Sequence, residues 1–278
     1  MTGNGKNDDF TKNHSAVDLE REKSMIKVGI IGGSGLDNPD IMKDAKEIKV
    51  ETRYGAPTSV LTCGSIKGVD AVIIARHGKD HSIYPSKVNF RANIMALKEQ
   101  SCTHILASTA VGSLRQEIAP GHLVFPNQFI DHTRKRETTF FDEDVVMHTP
   151  MSEPFCQNLI DLLSSSSDAL GLEYHKNKTV ITIEGPRFST KAESHMFRSW
   201  NADVINMSTV PEVCLAREKK MHYAAIAMST DYDCWHEEEE PVTWEMILET
   251  MKKNSGNVIK LFLDVIPKLK EYDDVCFK

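Results

Sequence analysis

Short apolar runs alternating with helical patterns constrain this chain more than any other feature. The strand candidates are Ile26–Ile31, Val60–Cys63, Val69–Ala75, His104–Ala107, Val180–Ile183, Asp203–Asn206 and Tyr223–Met228. Between them lie segments of helical period. Ser86–Gln100 reads as a helix with Ser86 as N-cap after Pro85. Ala192–Trp200 and Pro211–Lys220 are further helices, the second with proline in its first turn. Trp244, Ile247, Leu248, Met251, Val258, Ile259 and Phe262 keep a near-3.6 period, so Thr243–Ile266 reads as a long amphipathic helix ended by Pro267. Ser164–Ser167 reads as a loop. Strands separated by helices imply an α/β fold with a mixed or parallel central sheet flanked by helices.

Length allows one large domain or two small ones. The first 24 residues are polar and lack apolar periodicity, so a disordered tail (1–24) ahead of one domain (25–278) is expected. The formal net charge of -7 argues against a protein that tracks nucleic-acid phosphates. The longest apolar runs are far shorter than a membrane span, and no secretory h-region is visible. Six cysteines lack any C-x-x-C pair. They read as reduced thiols, which suits the cytoplasm, with the nucleus as a second compartment.

Asp231 and Asp233 close the run Tyr223–Met228. If the strand persists through Asp233, both carboxylates share one face and project from the carboxyl end of the sheet, where open α/β sheets bind ligands. Two acceptors a few ångströms apart suit a heterocycle with adjacent N–H groups. A solvated Asp-Tyr-Asp turn fits the same residues. The first strand runs into Gly32-Gly33-Ser34-Gly35, where backbone N–H groups and a hydroxyl can face an anion. The dinucleotide fingerprint fails there, because Asn38 stands at the third glycine position. A tight strand–loop turn is the alternative.

Arg76-His77-Gly78 ends another strand, and an arginine so placed suits bidentate phosphate binding. His77 and His81 are four apart but lack a third metal ligand. Ser108–Ser113 and Met207–Glu212 end two more strands with small or hydroxyl residues. Together these strand ends suggest one composite pocket for an anion and a base. His236 and Glu237–Glu240 read as a solvated loop, with a mobile lid as the alternative.

In this order, GIIGGSGLD, ARHGKDHSIYPSKVNFRANI, STAVGSLRQEI, NQFID, IEGPRFSTKAES, NMSTVPEV and STDYDCW resemble the 5′-methylthioadenosine phosphorylase family of the trimeric purine nucleoside phosphorylase superfamily. The resemblance runs from about Ile26 to about Lys268. It implies a single α/β domain around a twisted, partly closed mixed sheet, assembled as a homotrimer with sites near subunit interfaces. It implies phosphorolysis of S-methyl-5′-thioadenosine to adenine and 5-methylthioribose 1-phosphate, in methionine and purine salvage, without metal or organic cofactor. Phosphate is the co-substrate, and neither nucleic acid nor membrane is a partner.

Residue by residue, the resemblance assigns phosphate contacts to Ser34, Arg76, His77, Thr109, Ala110 and Ser208. Met207 would lie under the ribose and Phe188 near the base. Asp231 and Asp233 would read the purine, and His148 would be lent to the neighbouring subunit's site. Asp231 would assist departure of the base at nitrogen 7, which needs a proton and hence a raised pKa. Asp233 would accept from the six-amino group. Relatives acting on six-oxo purines carry asparagine at the place of Asp231 and glutamate at that of Ser189, which makes Ser189 a specificity position. Trp244 stands where many members carry a small aliphatic residue beside the 5′ pocket. The chain also ends soon after Lys270, where animal relatives continue with a covering segment. The other readings are a broader phosphorylase of adenosine, deoxyadenosine or inosine, a hydrolytic nucleosidase, and a non-catalytic nucleoside-binding trimer.

Overall fold

Four mutually parallel strands form the centre of the sheet in a computed structural model, which describes residues 26–32, 41–143, 145–236 and 244–271. They are β1 (Lys27–Gly32), β4 (Val69–Ala75), β5 (His104–Ser113) and β9 (His222–Asp231). Each is buried over most of its length, as strands covered on both faces must be. The other strands are β2 (Lys43–Ile48), β3 (Leu61–Ile66), β6 (Leu123–His132), β7 (Tyr174–Ile183) and β8 (Val204–Asn206).

The order is β2-β3-β4-β1-β5-β8-β7-β6-β9, and β9 pairs back onto β5. Strands β5, β8, β7, β6 and β9 therefore close on themselves, while β1, β4, β3 and β2 extend as an open wing. Antiparallel pairs β5–β8 and β6–β9 interrupt the parallel ones. The fold is thus a single α/β domain with a mixed, partly closed sheet, as the resemblance implies.

Among the described residues five helices flank it: α1 (Phe90–Glu99), α2 (Gln157–Leu170), α3 (Lys191–Ser199), α4 (Thr209–Glu218) and α5 (Trp244–Lys268). Most of the buried side chains form one cluster in which α1, α2, α4 and α5 pack on the strands. A smaller cluster, centred on Phe197 and Ile181, joins α3 to β7 and β8. No described helix is long and apolar enough to cross a membrane.

The structure corrects several expected boundaries. Asn89, not Ser86, caps α1: its side chain accepts from the Ala92 N–H, and Pro85–Lys87 form a separate 3-10 turn. Ser164–Ser167 lie inside α2 rather than in a loop. The Ser164 hydroxyl donates back to the Ile160 carbonyl at 2.7 Å, which lets a serine sit buried in a helix. Pro267 falls in the last turn of α5, where its missing donor does not stop the helix before Lys268. Strands β2 and β6 were not anticipated: β2 is an exposed, charged edge, and β6 carries Pro126, Asn127 and Gln128 in its middle. The expected tail, the segment Gly33–Asp40 and Glu237–Thr243 lie outside the described residues.

Helix α3 begins with a reciprocal cap. Thr190 accepts from the Glu193 N–H at 3.2 Å, and the Glu193 carboxylate accepts from the Thr190 N–H at 2.8 Å. Thr190→Ala should lower unfolding free energy by about 1 kcal/mol. Urea denaturation showing an unchanged midpoint would contradict that role for the cap.

Candidate active site

The parallel register brings the carboxyl ends of β1, β4, β5 and β9 to one edge: Gly32 pairs with Ala75, Ile31 with Ala107, and Gly112 with Asp231. A cavity of about 370 Å³ opens at that edge. Its walls include Arg76 and His77 beyond β4, Thr109 and Ala110 on β5, and Met207 and Ser208 between β8 and α4. Asp231, Asp233, Phe188 and Ser189 line it as well. The described strand ends thus meet at one cavity, with Thr109 and Ala110 on β5 itself rather than in a loop after it.

Arg76 is almost fully buried and its direction is set by three partners. Nε and Nη2 donate to the two carboxylate oxygens of Glu212, each at 2.8 Å, and Nη1 donates to the Ser108 carbonyl at 2.8 Å. Tyr223 donates its hydroxyl to the same Glu212 at 2.6 Å. Burial works against the guanidinium charge, but Glu212 outweighs it and holds the Arg76 pKa above its ordinary value. Burial drives the Tyr223 hydroxyl well above its ordinary value, and the Glu212 charge adds to that. One N–H remains on each Nη of Arg76.

A hydroxyl cluster stands beside it. Thr109 Oγ1 and Ser208 Oγ are 2.8 Å apart. Asn206 organises the group: its Nδ2 donates to Thr209 Oγ1 at 2.6 Å, and its Oδ1 accepts from Thr182 Oγ1 at 2.9 Å. Arginine N–H groups and aligned hydroxyls together can hold a tetrahedral oxyanion.

The carboxylates are placed by a local irregularity. Val111 pairs with Ser229 and Gly112 with Asp231, so Thr230 is an extra residue, a bulge that re-aims the strand end. Thr230 donates to Asp231 Oδ2 at 2.7 Å, and the Asp233 N–H donates to Asp231 Oδ1 at 2.8 Å. Here the same-face expectation is corrected. Strand β9 stops at Asp231, and Asp233 opens a 3-10 turn with φ of 48°. Both carboxylates still line the cavity because the turn folds back. Trp235 anchors it by donating Nε1–H to the Ser113 carbonyl at 2.8 Å, under the Arg198 guanidinium. Ser189 donates to Asp233, 3.0 and 3.1 Å from its two oxygens, so α3's leading loop and the β9 turn are joined at the site.

Three expected site residues are not placed in this cavity. Ser34 lies outside the described residues, and so does the side chain of Trp244, whose backbone opens α5. His148 is exposed and does not line the cavity. Asn206, Glu212, Thr230 and Met251 were missed. Glu212 carried one signal, a lone acid within an apolar helical face; Asn206 and Thr230 carried none. Among the described residues, no group of three or more His, Cys, Asp or Glu could hold a metal ion.

Gly112 permits the close approach of β5 to the acid pair. A Cβ there would stand 3.0 Å from Asp231 Oδ1 and 3.1 Å from Ile205 Cγ2. Gly112→Ala should therefore displace Asp231 or Ile205 and cost about 1–3 kcal/mol of stability. Chemical denaturation showing an unchanged midpoint would contradict that close approach.

The phosphorylase superfamily model matches residues 27–267. S-methyl-5′-thioadenosine phosphorylase of Danio rerio is 52% identical over 255 residues, covering 90% of this chain and 91% of that protein. Among solved structures, methylthioadenosine phosphorylase from Schistosoma mansoni in complex with adenine superposes with a TM-score of 0.85 at 40% identity, covering 89% of this chain and 93% of that one. A mutant adenosine/methylthioadenosine phosphorylase from the same organism, in complex with methylthioadenosine, gives 0.84 at 39% identity, with the same coverage.

Proposed function

The chain belongs to the phosphorylase superfamily, and we propose that it catalyses phosphorolysis of S-methyl-5′-thioadenosine to adenine and 5-methylthioribose 1-phosphate. The carrying observation is one cavity lined both by Arg76 with the Thr109 and Ser208 hydroxyls and by two buried carboxylates, Asp231 and Asp233. A volume of about 370 Å³ suits a small ligand enclosed by mostly apolar walls.

Phosphate held by Arg76, Thr109, Ala110 and Ser208, with Ser34 and His77 in the same set, attacks the anomeric carbon. The bond from that carbon to purine nitrogen 9 breaks, and its electron pair leaves with the base. A proton from Asp231 at nitrogen 7 neutralises the departing purine, assistance worth about 10²–10⁴-fold. Met207 lies under the ribose and Phe188 beside the base. No metal or organic cofactor enters these steps.

Asp233 selects the base. Its carboxylate already takes the Ser189 hydroxyl, and its remaining lone pairs accept from a six-amino group. A six-oxo purine would place oxygen against oxygen. This favours adenine nucleosides over inosine. Trp244 tunes the 5′ pocket in the same proposal, and a cytoplasmic site of action rests on the cysteine pattern of the sequence.

A homotrimer completes the proposal. Val145, Val146 and Met147 are 56%, 80% and 52% exposed, immediately before the exposed His148. An apolar stretch left open on one chain suits a subunit contact that carries His148 to a neighbour's cavity. Light scattering should give three times the chain mass; a fully active monomer would refute the assembly.

Methylthioadenosine, adenosine, deoxyadenosine and inosine, each with and without phosphate, should release free base only with phosphate, and inosine least. Equal rates without phosphate would overturn phosphorolysis in favour of hydrolysis. Asp231→Asn should lower kcat by about 10²-fold or more and leave folding intact. A near-wild-type kcat would remove Asp231 from its role.

A further inference from the structure

Val210 stands inside α4 with an extended backbone (φ -102°, ψ 131°), the region that a residue before proline prefers. Its carbonyl therefore leaves the helical ladder, and Arg136 donates to it from Nη1 at 2.5 Å. Nη2 of the same guanidinium donates to the main-chain carbonyls of Glu184, at 2.9 Å, and Ile183, at 3.3 Å. Nε donates to the Glu184 carboxylate at 3.3 Å. The other oxygen of that carboxylate accepts the Arg134 and Lys135 N–H groups, at 2.7 and 2.9 Å. Burial works against the Glu184 charge, but these donors outweigh it and hold the carboxyl below its usual range.

Arg136 does not line the cavity. Its side chain is 2% exposed, and its guanidinium lies over the Phe90 ring, 5.3 Å from the centroid. It joins two segments of unequal firmness. The opening of α4 is fixed by buried bonds, Thr209 to Asn206 and Glu212 to Arg76. The segment after Glu184 is different: Pro186, Arg187 and Phe188 are exposed, yet Pro186, Phe188 and Ser189 line the cavity. The far end of that segment is held where Ser189 meets Asp233. Its near end is held by Arg136. Gly185, between them, lies so close to Met207 that a Cβ would stand 2.5 Å from Sδ, so a small shift there reaches the cavity wall.

We infer that Arg136 is a positioning residue: by fastening the chain at Ile183 and Glu184 to the fixed opening of α4, it sets residues 185–189 in their binding place before the base arrives. The inference rests on the adenine-nucleoside reading above and adds a residue that governs nucleoside affinity without touching the nucleoside. A binding segment that is in place only part of the time lowers apparent affinity by the populated fraction. Once the ligand has captured the segment, the reacting groups stand as before. Loss of Arg136 therefore acts on KM rather than on kcat. Lysine is no substitute, because a single ammonium cannot reproduce the planar fork that spans three carbonyls and a carboxylate.

The test uses the full chain with Arg136→Lys, and with Arg136→Gln should the lysine variant not fold. Adenine affinity by calorimetry and KM for methylthioadenosine should both weaken roughly tenfold, with kcat and the adenine stoichiometry held within about threefold. A purely structural part would lower kcat and stoichiometry together and leave affinity and KM alone, and that result would overturn the inference. Trypsin probes the same segment in the unmodified protein, because Arg187 is an exposed cleavage point. Cleavage there should be slow, and saturating adenine should slow it by less than about threefold further. In the variant it should quicken roughly tenfold and be suppressed by adenine. Rapid, adenine-suppressed cleavage of the unmodified protein would also overturn the inference, since residues 185–189 would then not be set in advance. Release of adenine without phosphate would instead overturn phosphorolysis alone, because adenine affinity would still report on Arg136.

Discussion

The buried pair of Arg76 and Glu212 is the interaction on which the site depends. It ties the end of β4 to α4, reaches β5 through the Ser108 carbonyl, and reaches β9 through Tyr223. Burying two charges carries a desolvation cost that their attraction offsets only with good geometry. Both bonds are 2.8 Å and use both carboxylate oxygens, so the geometry is of that kind. Apolar residues of similar volume would stabilise the core at least as well. What they would lack is a guanidinium held at a fixed angle on the wall of a cavity, with N–H groups left for an anion.

The placing of the two acids depends on how β5 and β9 close the sheet. Their parallel pairing runs from His104 and His222 to Gly112 and Asp231, and one extra residue enters at Thr230. Without that residue the side chain facing the cavity would change, since neighbours on a strand point to opposite sides. The bulge, the small Gly112 opposite it and the turn anchored by Trp235 jointly bring two acids from different backbone conformations to one place. Asn206 does the corresponding work for the hydroxyls, because one amide can donate and accept at once.

Much of this was legible in the sequence, for physical reasons. Strands buried on both faces must be apolar throughout, so β1, β4 and β9 stood out, β4 to the residue. Arg76, Thr109, Ser208 and Asp231 were visible because polar residues at the ends of apolar runs are conspicuous. Edge strand β2 was illegible, since exposure on both faces removes any apolar signal. Helix α2 was obscured by a run of four serines, of which Ser164 and Ser165 donate back to the Ile160 and Leu162 carbonyls of the preceding turn. Asp233 was placed on a strand by its spacing from Asp231, yet the chain turns between them. Glu212 could not be assigned to Arg76 from pattern alone, because 136 residues separate them.

The central claim is that one cavity brings a phosphate and an adenine nucleoside into reaction, and the product of that reaction is the most direct evidence. Phosphorus NMR of the protein with methylthioadenosine and inorganic phosphate follows both partners at once. A new sugar 1-phosphate resonance should grow one for one with free adenine while inorganic phosphate declines. Adenine appearing with a free sugar, and inorganic phosphate left unconsumed, would contradict the central claim.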